Sequence, residues 1–135
     1  MCTAIAIAAA CSTAGYAAAA PTTIPFQVTP TPYGNPNGSV DFPPTRCVAI
    51  VGAEAGSAQI TGGKEDGWGC PTMGAPWTVL WLNLSTGAAG SAVLVNDSYE
   101  RAPETTIDTG AGQVAVFVHT NDGIHTPGLA TFYVP

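Results

Sequence analysis

Short alternating strand patterns, separated by turn residues, are the feature that most constrains the fold of this chain. In "GQVAVFVHT", Val114, Val116 and Val118 point one way and the residues between them point the other way, which is the period-two pattern of a half-buried strand. Similar runs are "CVAIVG", "SAQITGG", "GLATFYVP" and "SAVLV". No window of a dozen residues repeats apolar positions at helical spacing, so the sequence predicts an all-β protein.

The number of runs and the turns between them favour a two-sheet antiparallel sandwich over a barrel. The run "PWTVLWLNL" is apolar on both sides and is predicted to be a central strand, joined through the turn "STGAAG" to "SAVLV" as a hairpin. Trp77 and Trp81 share one face of this strand and are predicted to form the aromatic centre of the core. Asn83 and Asn96 begin N-x-S/T triplets, and both are interpreted as turn residues.

Residues 1–20 are predicted to be a signal peptide. The run "CTAIAIAAACSTAGYAAAA" is uncharged and ends in small residues before Pro21, as an h-region followed by an A-x-A cleavage site does. The usual preceding basic residues are missing, since the first cation is Arg46. Three alternatives stay open: a start further upstream, a lipobox with an acylated Cys11, and a membrane anchor. Cleavage near Ala20 predicts a protein secreted to the medium or held in the cell envelope.

A proline-rich arm is predicted at residues 21–44, followed by the sandwich domain at residues 45–135. The arm holds seven of the twelve prolines, so it is expected to be extended and to contain at most one edge strand. Within it, "IPFQVT" alternates Ile24, Phe26 and Val28 with proline or polar positions. This alternation predicts an edge strand that buries those three side chains.

Cys47 and Cys70 are predicted to form a structural disulfide. They are the two cysteines that remain once residues 1–20 are removed from an exported chain. A metal site or a redox dithiol would use Cys-x-x-Cys spacing or neighbouring histidines, and neither pattern occurs here. Closing a loop of this length stabilises a folded domain by about 3 kcal/mol.

Charge and motif content exclude several function classes. Nine acidic and three basic residues give a formal net charge of −6, and the cations Arg46, Lys64 and Arg101 are scattered. Nucleic acids and anionic membranes require clustered cations, so neither is an expected partner. The chain has no G-x-S-x-G motif and no standard phosphate-binding glycine loop, and the adjacent Glu65 and Asp66 are not spaced as a glycosidase pair. The sequence therefore predicts no enzymatic activity and no cofactor, with a hydrolase as the least favoured class.

The loop "KEDGWGCPTMGAPW" is the predicted recognition segment. It combines a charge cluster, two tryptophans and several turn residues beside the disulfide, and loops on a rigid sandwich commonly carry recognition. The candidate binding residues are Lys64, Glu65, Asp66 and Trp68. The alternative for Trp68 is that it covers the disulfide or one end of the sandwich.

The stretch "HTNDGIH" contains both histidines of the chain, His119 and His125. A three-residue hairpin loop would place the two rings directly opposite each other, on the face that carries Phe117. They are weak candidates for a two-ligand zinc, copper or nickel site. The alternatives are exposed histidines beside a polar turn, and a two-residue turn that puts the rings on opposite faces.

Several stretches resemble known proteins. The signal-like start, the single cysteine pair, "WTVLWLNLSTGAAGSAVLV" and "GQVAVFVHTNDG" resemble small exported actinobacterial proteins of unknown function. The stretch "IDTGAGQVAVFV" is similar to the one that leads into the penultimate immunoglobulin strand, although the tyrosine and cysteine of that strand are absent. This resemblance implies an immunoglobulin-like sandwich. In size and style the chain also resembles the enediyne-carrying apoproteins of actinomycetes, without their second disulfide, which implies a chromophore cleft.

These observations predict an exported, non-enzymatic interaction module of the cell envelope or medium, binding an unknown protein or small molecule through surface loops. The alternative is a small-molecule carrier with an apolar cleft between its sheets. A pocket lined by apolar side chains with few polar ones would distinguish the carrier from the interaction module.

Overall fold

The computed structural model has the all-β architecture that the alternating runs predict. It describes residues 20–32, 46–62, 70, 76–94, 103–121 and 124–135, and these contain ten strands and no helix. The strands are β1 (Thr22–Pro25), β2 (Thr31–Pro32), β3 (Cys47–Val51), β4 (Ser57–Gly62), β5 (Trp77–Asn83), β6 (Ala89–Leu94), β7 (Glu104–Asp108), β8 (Gly112–His119), β9 (His125–Thr126) and β10 (Gly128–Val134).

Two antiparallel sheets of four strands form the sandwich. The first sheet has the order β1-β3-β4-β7 and the second has the order β10-β8-β5-β6, while β2 and β9 pair separately. Strands β3, β4 and β7 follow the A-B-E order of immunoglobulin-like sandwiches, and β10, β8, β5 and β6 follow the order G-F-C-C′. Strand β8 thus takes the penultimate position that the resemblance of "IDTGAGQVAVFV" implied. Strand β1 is added outside β3.

The core lies between the two sheets and is built from every second residue of each strand. In β8, Val114, Val116 and Val118 are buried, as predicted, and the residues between them are half-buried or exposed. The buried apolar side chains of the core are Phe26, Cys47, Ala49, Val51, Ala58, Ile60, Cys70, Trp77, Val79, Leu94, Ile107, Val114, Val116, Val118, Ala130, Phe132 and Val134. The aromatic centre is confirmed for Trp77, whereas Trp81 is only partly buried and lies over Gly90.

The arm crosses from one sheet to the other, which corrects the predicted edge strand. Strand β1 pairs with β3 as an edge strand but ends at Pro25. Phe26 enters the core, whereas Val28 forms a bridge with Leu129 of β10 and is 42% exposed. The predicted burial of Val28 is therefore wrong, because the chain changes sheets between these two residues. The side-chain amide of Gln27 holds this segment on β10: it donates to the backbone carbonyl of Thr131 and accepts from the N–H of the same residue.

Opposite ends of the sandwich are held by different bonds. At the end where β3 begins, Cys47 and Cys70 form the predicted disulfide, with a Cα–Cα distance of 4.4 Å. At the other end, the fully buried Asn83 amide donates to three carbonyls of the β7–β8 connection and accepts two N–H groups of the β5–β6 turn. These partners are the carbonyls of Thr109, Gly110 and Ala111 and the N–H groups of Ser85 and Thr86, at 2.9 to 3.3 Å. Asn83 was interpreted as a turn residue, whereas the structure makes it the last residue of β5, and its side chain bonds the turn that follows.

Several sequence predictions fall outside the described residues. They concern Asn96, nearly all of the predicted signal peptide at residues 1–20, and the second half of the arm at residues 21–44. Within the part of the chain that the structure describes, no helix is long and apolar enough to span a membrane.

Candidate functional site

The residues of the predicted recognition loop, Lys64, Glu65, Asp66 and Trp68, lie outside the described residues. Of that loop, Cys70 and the stretch from Pro76 onward are described. The disulfide fixes Cys70 in the core, next to the start of β5 in the sequence. The proposed binding role of the loop therefore stays a prediction.

The two histidines do not face each other across a tight hairpin, which corrects the predicted register. Strands β8 and β10 pair with Val118 opposite Gly128, so the connection between them is longer than a three-residue turn. Within that connection, His125 belongs to β9 and pairs with Pro32 of the arm. The backbone of His125 therefore pairs with the arm and not with β8. His119 pairs with Thr78 of β5.

The two imidazole rings also contact different sides of the second sheet. The ring of His119 lies 5.5 Å from that of Phe117 at an interplanar angle of 32°, on the outer face. The ring of His125 meets the buried Trp77 edge-on, at 5.4 Å and 81°. Among the described residues, no group of three or more His, Cys, Asp or Glu side chains is placed to hold a metal ion.

The outer face of the second sheet carries large apolar side chains that no other layer of the described residues covers. Alternation directs the second set of residues on β5, β6, β8 and β10 away from the core. Six of these are large and between 39% and 60% exposed. We call this set the apolar face, and it consists of Leu80, Leu82, Val93, Phe117, Leu129 and Tyr133.

Strand register brings three of these side chains into one continuous row. Leu129 pairs with Phe117, which in turn pairs with Leu80. Val28 extends the row beyond β10 through its bridge to Leu129. Directly paired residues of antiparallel strands have side chains on the same face, with Cβ atoms about 5 Å apart. The row therefore crosses four chain segments without interruption.

The neighbouring row contains smaller side chains. Leu82 pairs with Ala115, which is also paired with Thr131, and on the other side Leu82 pairs with Ala89. Two of the four residues in this row are therefore alanines. The apolar face thus combines large and small side chains.

Charge is missing from this sheet. Strands β5, β6, β8 and β10 contain no Asp, Glu, Lys or Arg. Such a face lacks the ion pairs that would orient a charged ligand, and it excludes water from whatever packs against it. Its chemistry suits apolar docking.

This face was missed in the sequence-based prediction, which placed recognition on a loop. The signal was the double-sided apolar character of "PWTVLWLNL", which was interpreted as burial on both sides of a central strand. Strand β5 is central within its sheet, as predicted, but Leu80 and Leu82 are each 41% exposed. Comparisons of the chain with known protein families, curated proteins and solved structures find no match.

Proposed function

We propose that this protein is an exported, non-enzymatic interaction module of the cell envelope or medium that docks through the apolar face. The observation that carries the proposal is the exposure of six large apolar side chains on one uncharged sheet face. Contiguous apolar patches of more than a few hundred Å² are rare on monomeric proteins and mark interaction sites. The two aromatic side chains, Phe117 and Tyr133, are of the kinds enriched in interface cores.

Support for a non-enzymatic role comes from the side chains that the face presents. A nucleophile with its base, or two facing carboxylates, would be needed for the hydrolytic reactions considered above. The described acidic residues of the sandwich strands are Glu104 and Asp108, both on β7 of the first sheet. They lie on the same face of one strand, where they point to solvent rather than across a groove.

The carrier alternative receives no support from the described residues. A chromophore cleft would open between the sheets, where Ile60, Val79, Val114 and Ile107 are instead buried against one another within the core. Export is supported by the signal-like residues 1–20 and by the Cys47–Cys70 disulfide, since such bonds persist mainly outside the cytoplasm.

Site-specific photocrosslinking in a culture that exports the protein tests this function. A photoreactive phenylalanine analogue replaces Phe117, and in a matched control it replaces Thr23, which is exposed on the outer face of the first sheet. We expect covalent adducts from position 117 only, and we expect the substitutions Leu80→Ser and Leu129→Ser to abolish them. The absence of adducts at position 117, or equal adducts at both positions, would contradict docking through the apolar face.

A further inference from the structure

We propose that the occupant of the apolar face is a second copy of this chain, so that two sandwiches stack with their second sheets facing each other. The inference rests on the proposed function, because it requires the apolar face to be a docking surface. A two-fold axis would pass through the contact, which makes both copies use the same residues. The result is a four-layer sandwich with the two apolar faces at its centre.

Charge favours this arrangement over other self-contacts. Each chain has a formal net charge of −6, so two copies repel unless they meet where charge is absent. The four strands of the second sheet carry none, and Glu104 and Asp108 lie on the opposite outer face of the sandwich. Packed sheets are about 10 Å apart, which separates Glu104 and Asp108 of one copy from those of the other by roughly 30 Å. That distance exceeds the Debye length of about 8 Å at physiological ionic strength.

An edge-to-edge dimer is the competing self-contact, and charge opposes it. Strand β6 forms an uncharged edge of the second sheet, which offers its backbone groups for pairing with a second β6. However, β6 lies beside β7 at that side of the sandwich. Joining two β6 edges would bring together two copies of β7, each with Glu104 and Asp108. Stacking through the apolar face avoids this repulsion.

The size of the apolar face meets the requirement of a stable interface. Together with the adjoining Val28, it spans five chain segments and up to seven residues along a strand. Spacings of about 4.8 Å between strands and about 3.4 Å per residue give a flat footprint of roughly 500 Å² per copy. Projecting side chains raise the accessible area above this footprint. Two such faces therefore exceed the total of about 1,000 Å² expected of a biological interface.

Small side chains on the face suit contact with itself. The row with Leu129, Phe117 and Leu80 lies beside the row with Thr131, Ala115, Leu82 and Ala89. A two-fold rotation about an axis that lies between the rows and parallel to them places each row of one copy over the other row of its partner. Phe117 of each copy would then lie over the small side chain of Ala115 of its partner.

Sedimentation equilibrium of the purified, disulfide-bonded full chain between about 1 and 100 μM tests the dimer. We expect twice the mass of one chain at the upper end of this range; one chain has a mass of 13.6 kDa when residues 1–20 are retained and a smaller mass when they are cleaved. Phe117→Glu places a charge at the centre of the contact, so we expect it to raise the dissociation constant at least about 100-fold. Leu80→Ser should raise it about tenfold. Thr23→Glu adds the same charge to the first sheet and should change it less than about twofold.

The outcomes separate this inference from the proposed function. A wild-type monomer at 100 μM, or equal weakening by Thr23→Glu and Phe117→Glu, overturns the dimer. If such a monomer still gives adducts with another protein from position 117 only, docking through the apolar face stands and the second copy is wrong. If it gives none, both proposals fail. If the far-UV circular dichroism of Phe117→Glu shows that this variant is unfolded, the test passes to Leu80→Ser. An unchanged dissociation constant in folded Leu80→Ser overturns the dimer.

Discussion

The two outer faces of this sandwich differ in chemistry although the same strand alternation builds both. On the first sheet, Gln59 donates a hydrogen bond to Glu104 at 3.0 Å, and the exposed Thr106 and Asp108 follow on β7. On the second sheet, the apolar face occupies the equivalent outward positions. Antiparallel sheets at a surface usually alternate apolar inward residues with polar outward ones. The first sheet largely follows this rule on β4 and β7, and the second sheet departs from it.

The contrast indicates that the inward residues of a sheet are constrained by folding, whereas its outward residues depend on what the sheet contacts in solution. Core positions on both sheets are apolar because they must exclude water from one shared interior. Outward positions have no such requirement within a monomer. An outward face that is apolar all the same indicates a contact beyond the single chain.

The largest effect is expected from Asn83→Ala, which tests whether both faces belong to one cooperative unit. The substitution removes five hydrogen bonds and leaves buried carbonyl and N–H groups unpaired. We expect a loss of about 3 to 4 kcal/mol in the free energy of unfolding. Urea unfolding followed by tryptophan fluorescence and by far-UV circular dichroism measures it.

Asn83→Asp serves as the matched control, since it keeps the two accepting bonds and loses the three donated ones. Asn83→Asp should lower the free energy of unfolding by a similar amount, because its carboxylate would face three carbonyl oxygens in a buried position. Separate unfolding transitions for the two spectroscopic signals would show that the sheets are not one unit. In that case the two faces would have to be compared as independent structures.

The Cys47→Ala, Cys70→Ala double variant should lower the free energy of unfolding by about 3 kcal/mol, because it frees a loop of the unfolded chain. The bond closes a sequence separation of 23 residues at the end of the sandwich opposite Asn83. Thermal unfolding of both proteins without reductant measures the difference. Peptide mapping that finds both cysteines reactive in the untreated wild-type protein would contradict the disulfide.

A smaller and more direct contrast is expected between neighbouring residues of β8. Val116 is 1% exposed and faces the core, whereas Phe117 is 39% exposed and faces outward. In the monomer, Val116→Ala should lower the free energy of unfolding by about 2 kcal/mol. Phe117→Ala should lower it by less than about 1 kcal/mol although it removes the larger side chain. Chemical unfolding at submicromolar protein, where dimer is not populated, measures both.

Equal costs for these two substitutions would end the distinction between inward and outward positions on the second sheet. Repeating the measurement at 100 μM adds a check on the dimer. There, Phe117→Ala should cost more than it does in the monomer, because the wild-type dimer is stabilised by association.

The smallest effect is expected for zinc, since the two histidines stand on different sides of the second sheet. His119 contacts Phe117 on the outer face and His125 contacts Trp77 of the core. A single ion bound by both rings is therefore not expected. In calorimetric titration, any heat should be the same for the wild-type protein and the His119→Ala, His125→Ala double variant. Micromolar binding that the double variant loses would show that the rings come together.

Much of the sandwich was predictable from local sequence. The period-two pattern of "GQVAVFVHT" identified the buried valines of β8, because a strand directs alternate residues to opposite sides whatever lies around it. The turn "STGAAG" located the β5–β6 hairpin for the same local reason. Cys47 and Cys70 were paired correctly by elimination of alternatives.

Other features depended on segments that are distant in sequence. Val28 continues the alternation of Ile24 and Phe26, yet it joins the other sheet. His125 pairs with the arm through Pro32 rather than with His119. In both cases, two strands could have paired with the same backbone N–H and C=O groups. Local periodicity does not indicate which of the two pairings forms.

Residue type and a period of two were enough to predict β3, β4, β5, β6, β8 and β10, the buried valines of β8 and the absence of charge from β5, β6, β8 and β10, whereas β2, β7 and β9 were not predicted. That the outward residues Leu80, Phe117 and Leu129 lie next to one another and remain exposed could be seen only in the folded chain. Adjacency depends on strand order and register, and exposure depends on what the rest of the chain places over a face. Neither quantity is a property of any single strand.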